Sequence, residues 1–248
     1  MESTTHMLSL LQLNAAETHK REITVSDSAS HIDHKLLSQL MASIQEAHTA
    51  IETTSALPGF ETNAETVETA RKQVDQGIWN RIKHLTEVKE SLLLKLLNLG
   101  IKAQQAGNCY EFSFFTQSIL EKQHISSEIF RIKGVDNQNS HVFLVIKRDP
   151  NTKTDDFSAW NRDALIVDPY LKQIYSVSDI PKYLQSCAHS EETNTVRYIP
   201  FNRNEHKLDN NVQKEFVEDW QTVLAATKNQ INKKASEDDA STSFQAKI

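Results

Sequence analysis

Glycine and proline are scarce, five of each in 248 residues. An all-β sandwich or barrel needs turn residues at short intervals, so this scarcity argues against such folds and for a chain that is mostly helical. Cysteine is scarcer still. Cys109 and Cys187 are too few for a disulfide framework and suit a reducing compartment. No CxxC or HExxH occurs. His31 and His34 in HIDH share a helix face, but no Cys or carboxylate set completes a zinc site, so they read as a solvated helix start. No metal motif or phosphate loop is present, and neither metal nor cofactor is expected. The apolar patch at 7–13, MLSLLQL, is too short to cross a bilayer and lacks the basic flank and cleavage site of a signal peptide. The chain is therefore expected to be soluble and not Sec-exported. Basic blocks are missing too: a net charge of −6 offers no footprint for nucleic acid.

What is present falls into four parts. Residues 1–30 are polar and expected to be flexible. From 31 to 100 apolar residues recur at helical spacing, first in Ile32, Leu36, Leu37, Leu40 and Ile44, then in Val67, Ala70, Val74 and Ile78. Thr62 and Glu65 form a candidate capping box, and a third stripe runs from Ile82 to Leu97 toward Gly100. Residues 101–234 change character. Tyr110 to Gln123 predicts a helix apolar nearly all round, hence central and buried. Strand patterns follow at Glu128–Ile132, His141–Lys147, Ala164–Asp168 and Thr195–Phe201. Ser178–Cys187 reads as a helix with Pro181 in its first turn, and Asp209–Ile231 as a last amphipathic helix. Residues 235–248 read as a disordered acidic tail. The fold class is α+β.

Cys109 lies where this buried helix begins, after a Gly107-Asn108 turn. A thiolate there is favoured by unpaired amides and the positive end of the helix dipole. A thiolate nucleophile needs an imidazole and an orienting carboxylate. His141 opens one strand and Asp168 closes another. An antiparallel hairpin pairing Val145 with Ala164 would set His141 directly opposite Asp168.

Gly107-Asn108-Cys109 opening a helix, His141 starting a strand and Asp168 in V-D-P-Y resemble the core of papain-like and transglutaminase-like cysteine enzymes, as found in bacterial effectors. The likeness covers about residues 100–201. It implies a Cys-bearing helix packed on an antiparallel sheet, with Cys109 as nucleophile, His141 as general base and acid, and Asp168 as orienting carboxylate. The signatures that surround the cysteine in arylamine acetyltransferases and animal transglutaminases are absent. Papain-like enzymes place an oxyanion-hole Gln six residues before the Cys; here Gln104 and Gln105 stand five and four before it, so the second oxyanion donor lies among Gln104, Gln105 and Asn108. Trp160, between the two strands, reads either as a wall of the acyl pocket or as a core plug.

The expected activity is acyl transfer on a glutamine side chain or peptide bond of a host protein, by deamidation, transglutamination or proteolysis. The alternative is a non-catalytic interaction protein in which a papain-like scaffold carries partner-binding N-terminal helices. An acidic cluster, Glu237 to Asp239, followed by an apolar terminus resembles the C-terminal signals of type IV secretion effectors, which implies passage from bacterial cytoplasm to host cytosol.

Overall fold

The computed structural model describes residues 22–29, 31–51, 61–85, 87–134, 140–190 and 195–245, with backbone alone for 61–67, 187–190, 195–198 and 230–245. Among the described residues three α-helices precede the cysteine: α1 (His34–Ala50), α2 (Glu61–Ile82) and α3 (Glu90–Gln104). Asp33 caps α1, its carboxylate accepting from the Lys35 N–H at 2.6 Å. The Thr62/Glu65 capping box lies outside the described side chains. α3 does not stop at Gly100. There the missing side chain admits Val74 of α2, whose Cγ1 would stand 2.7 Å from a Cβ, so this glycine serves close helix packing instead of termination.

α4 (Cys109–Lys122) carries ten buried residues, as its all-round apolar pattern predicts. It packs on a mixed six-stranded sheet of order β1-β5-β4-β3-β2-β8. The strands are β1 (Thr24–Val25), β2 (Ser127–Gly134), β3 (Ser140–Ile146), β4 (Leu165–Asp168), β5 (Gln173–Ser176) and β8 (His206–Asp209). Only β1 joins in parallel, against β5. Its inclusion corrects the expectation of a flexible 1–30: Thr24 and Val25 extend the sheet, and Ala29 is fully buried. Residues 1–21 and 30 lie outside the described residues.

Alternation along β3 divides the core. Val142, Leu144 and Ile146 face the helical layer with Leu165 and Val167 of β4. Phe143 and Val145 face a second cluster with Phe130, Ile166, Tyr175, Phe157 and Trp160. Two further corrections concern the C-terminal part. The expected helix at 178–187 shrinks to a four-residue α5 (Ile180–Tyr183), because the chain then pairs as β6 (Gln185–Ser190) with β7 (Thr195–Pro200) in a separate ribbon. The final helix, α6 (Val212–Gln245), continues into the expected acidic tail, which holds no Gly or Pro to end it. Among the described residues no helix is long and apolar enough to cross a membrane.

Candidate active site

The start of α4 is built by a reciprocal cap. Asn108 Oδ1 accepts from the Tyr110 N–H at 3.0 Å, while the Asn108 N–H donates to Glu111 Oε2 at 2.9 Å. Glu111 folds back so closely that a Cβ on Gly107 would meet its Cβ at 2.5 Å. The Gly-Asn-Cys run thus has a local cause: glycine admits the glutamate, asparagine caps, and cysteine becomes the first helical residue. Arg71 of α2 completes the arrangement, donating from Nε to Glu111 Oε1 at 2.5 Å and from Nη2 to Asn108 Oδ1 at 3.0 Å. Burial works to lower the pKa of this guanidinium. The charge and hydrogen bond of Glu111, with smaller contributions from Cys109 and Tyr110, outweigh it and hold the pKa above its usual value.

His141 and Asp168 are buried and paired, Nε2 lying 2.5 Å from Oδ2, at 0% and 1% exposure. The register that brings them together differs from the expected one. Val145 pairs with Ile166, not Ala164, so the hairpin is displaced by two residues and Asp168 continues the ladder opposite Phe143. A two-residue displacement preserves the faces, and the two side chains meet on the diagonal. A carboxylate oxygen accepts, so in the tautomer that donates to Asp168 the imidazole carries its proton on Nε2. Asp168 Oδ1 also accepts from the Leu171 N–H at 2.9 Å, which fixes the carboxylate in its turn.

Helix contacts fix where Cys109 lies relative to this pair. Ser113 Oγ donates to the Val142 carbonyl at 3.1 Å, and Gln117, one turn on, donates to the Ser127 carbonyl at 3.1 Å, where Ser127 pairs with Ile146. α4 therefore runs parallel to β3. Cys109, one turn before Ser113, lies over the strand's first residues. The His141 ring is stacked with Phe143, at 6.4 Å between centroids, on the sheet face away from α4. Any thiol–imidazole contact is thus made around the strand's start. Tyr170 bridges the layers there, with ring centroids 6.5 Å from His141 and 5.7 Å from Phe112. His48 of α1 packs on Phe112 at 4.5 Å and its Nε2 donates to the Pro169 carbonyl at 2.7 Å. Cys109 is 9% exposed, so this conformation is closed.

The remaining predicted residues are distributed around this centre. Gln104 ends α3 and Gln105 caps it in a left-handed conformation, φ 52°. The Asn108 oxygen is committed to the cap and to Arg71, which leaves Nδ2 as that side chain's donor. Trp160 is buried in the second core cluster. It packs edge-on against Phe130 and Phe157, and its Nε1 donates to the Lys153 carbonyl at 2.8 Å. Cys187 lies in β6. A cavity of about 450 Å³ beside the helix start is lined by Arg71, Val74, Asp75, Tyr110, Glu111 and Trp220, among others. Among the described residues no three His, Cys, Asp or Glu side chains group as metal ligands.

Arg71, Glu111 and Tyr170 were missed by sequence reasoning. Glu111, three residues after Asn108, carries a legible capping signature. Tyr170 stands in the V-D-P-Y motif without a role assigned to it, and Arg71 carries no sequence signal, since only tertiary packing brings it to the site. No protein-family model matches the chain, and no curated protein matches it.

Proposed function

We propose that the protein is a cysteine-dependent acyl-transfer enzyme acting on an amide of a protein substrate. The observation that carries this reading is the buried His141–Asp168 pair at the end of the sheet over which the Cys109 helix begins. In the reaction, the Cys109 thiolate bonds to the amide carbonyl carbon. The C–N bond then breaks, and the leaving nitrogen takes a proton from the His141 imidazolium. Water, losing its proton to His141, resolves the thioester and frees the thiolate; an amine in its place gives cross-linking. Asp168 stabilises the imidazolium. The Cys109 N–H supplies one oxyanion donor, with Gln104, Gln105 or Asn108 as the second. Because the thiol is covered, substrate reaches it after a covering segment moves. Host proteins are the proposed substrates, on the strength of the effector resemblance.

The burial of Cys109 favours a second reading, a non-catalytic scaffold whose N-terminal helices bind a partner. Intact mass spectrometry of eukaryotic proteins incubated with the wild type and with Cys109→Ala separates the two. Deamidation, cleavage or cross-linking seen with the wild type alone supports the enzyme. Identical spectra with both proteins support the scaffold.

A further inference from the structure

We propose that the cleft walled by α2, α4 and α6 is a docking site for an arginine side chain of a partner protein. The inference is independent of the reading of Cys109 as nucleophile. It gives the surface beside the helix start a ligand, and with it a kind of partner, one that exposes an arginine in a basic segment.

Helical spacing builds the walls. Phe216, Asp219, Trp220 and Val223 of α6 stand at i, i+3, i+4 and i+7, and Arg71, Val74 and Asp75 of α2 at i, i+3 and i+4, so each helix turns one face into the cleft. Tyr110 of α4 is the third wall. Its ring lies 4.6 Å from Phe114, which lies 5.8 Å from Phe216, so aromatic contacts tie α4 to α6. Tyr110, Phe216 and Trp220 are only partly buried, which leaves ring surface facing about 450 Å³ of space. Three carboxylates, of Asp75, Glu111 and Asp219, share that space with the single guanidinium of Arg71, a surplus of two negative charges among the described residues. Arg71 is held by Glu111. Among the described residues neither Asp75 nor Asp219 forms an ion pair, so their charges remain for an incoming cation.

Ring faces and carboxylates together select a cation. A guanidinium suits them better than an ammonium, because it is less strongly hydrated, lies flat on rings and donates in two directions to carboxylates on separate helices. Arg71 already shows this mode, 5.5 Å from the centre of the Tyr110 ring with its Nε on Glu111. The stem of the entering side chain finds an apolar floor in buried Val74, Leu97 and Ile101. Val223, 46% exposed at the rim, continues that apolar surface outward, which favours an occupant carried on a chain over a free small molecule. The net charge of −6 draws a basic partner.

The test uses the full chain, isotope-labelled for NMR, with the Trp220 indole N–H as reporter, assigned through Trp220→Phe. A capped Gly-Ser-Arg-Ser-Gly peptide and its lysine and citrulline counterparts would be titrated in, with agmatine as a free guanidine. The arginine peptide should shift the Trp220 indole saturably and leave that of Trp160, in the other core cluster, in place. Citrulline keeps the shape without the charge and should bind at least about tenfold more weakly, and lysine about threefold more weakly. Asp75→Asn combined with Asp219→Asn should weaken the arginine peptide about tenfold, with melting curves as the folding control. An unmoved Trp220 indole, citrulline binding as tightly as arginine, or unchanged affinity in the folded double variant overturns the inference. Lysine binding as tightly as arginine overturns the choice of guanidinium. Agmatine binding more tightly than the peptide marks a small-molecule site and overturns the protein partner. If the double variant does not fold, the citrulline comparison decides alone.

Discussion

His141 and Asp168 meet diagonally across β3 and β4, Nε2 to Oδ2 at 2.5 Å, in a part of the sheet where both side chains are sealed from solvent. Each group is the other's compensation for burial. Removing one takes from the other its buried ionic partner, which typically costs several kcal/mol.

Asp168→Asn and Asp168→Ala should therefore separate in stability as well as in rate. Asparagine retains an oxygen for the Leu171 N–H and should lower stability by about 1–2 kcal/mol, whereas alanine strands that N–H, takes the carboxylate from His141 Nε2 and should cost about 3 kcal/mol. Turnover should fall at least about tenfold in both, because neither side chain stabilises an imidazolium. Denaturant melts and turnover on one substrate check this. Full activity in both variants would leave at most a Cys109–His141 dyad.

Gly107→Ala should destabilise the protein by roughly 1–3 kcal/mol, since its Cβ would collide with that of Glu111 at 2.5 Å and break the cap. Thermal melts measure the loss. A variant as stable as the wild type would show that Glu111 has an alternative seat.

Trp160→Ala should lower stability by about 3–5 kcal/mol, as large aromatic truncations in cores do. Under conditions where the variant is folded, the rate of Cys109 alkylation by iodoacetamide should match the wild type. A changed rate with intact stability would place Trp160 in the site.

Asp209 gives an acid-stability prediction. Burial acts to raise its pKa, but hydrogen bonds from Lys133 and Arg131 outweigh this and hold it at about 2, below the ordinary 3.8. A depressed carboxyl pKa contributes stability that is fully present above about pH 4 and lost as pH falls toward 2. For this partly solvated group the contribution is on the order of 1–2 kcal/mol. Urea melts between pH 5 and 2 should show a smaller acid-induced loss in Asp209→Asn than in the wild type. Parallel curves would remove Asp209 from the account.

Much of this arrangement was legible in the sequence for identifiable reasons. α4 announced itself through an apolar pattern that only a buried helix tolerates, and β3 and β4 through unbroken β-branched and aromatic runs. The His141–Asp168 pairing was foreseen with a register wrong by two, and it survives because an even displacement leaves faces unchanged. The connection between β3 and β4 is long, so it does not fix the register as a tight turn would. β1, β5 and β8 span two to four residues each, too short to show alternation, and β1 finds its partner about 150 positions downstream. Arg71 was illegible for the same reason: its charge meets the cap only after α2 packs on α3.

The central claim is that the Cys109 thiol and the His141 imidazole act together, and the rate of Cys109 alkylation by iodoacetamide at pH 7 in His141→Ala tests it most directly. With melting curves confirming a folded variant, alkylation should slow at least about tenfold once the imidazole is gone. Equal rates in wild type and variant would contradict the account and leave Cys109 as a buried core residue at a helix start.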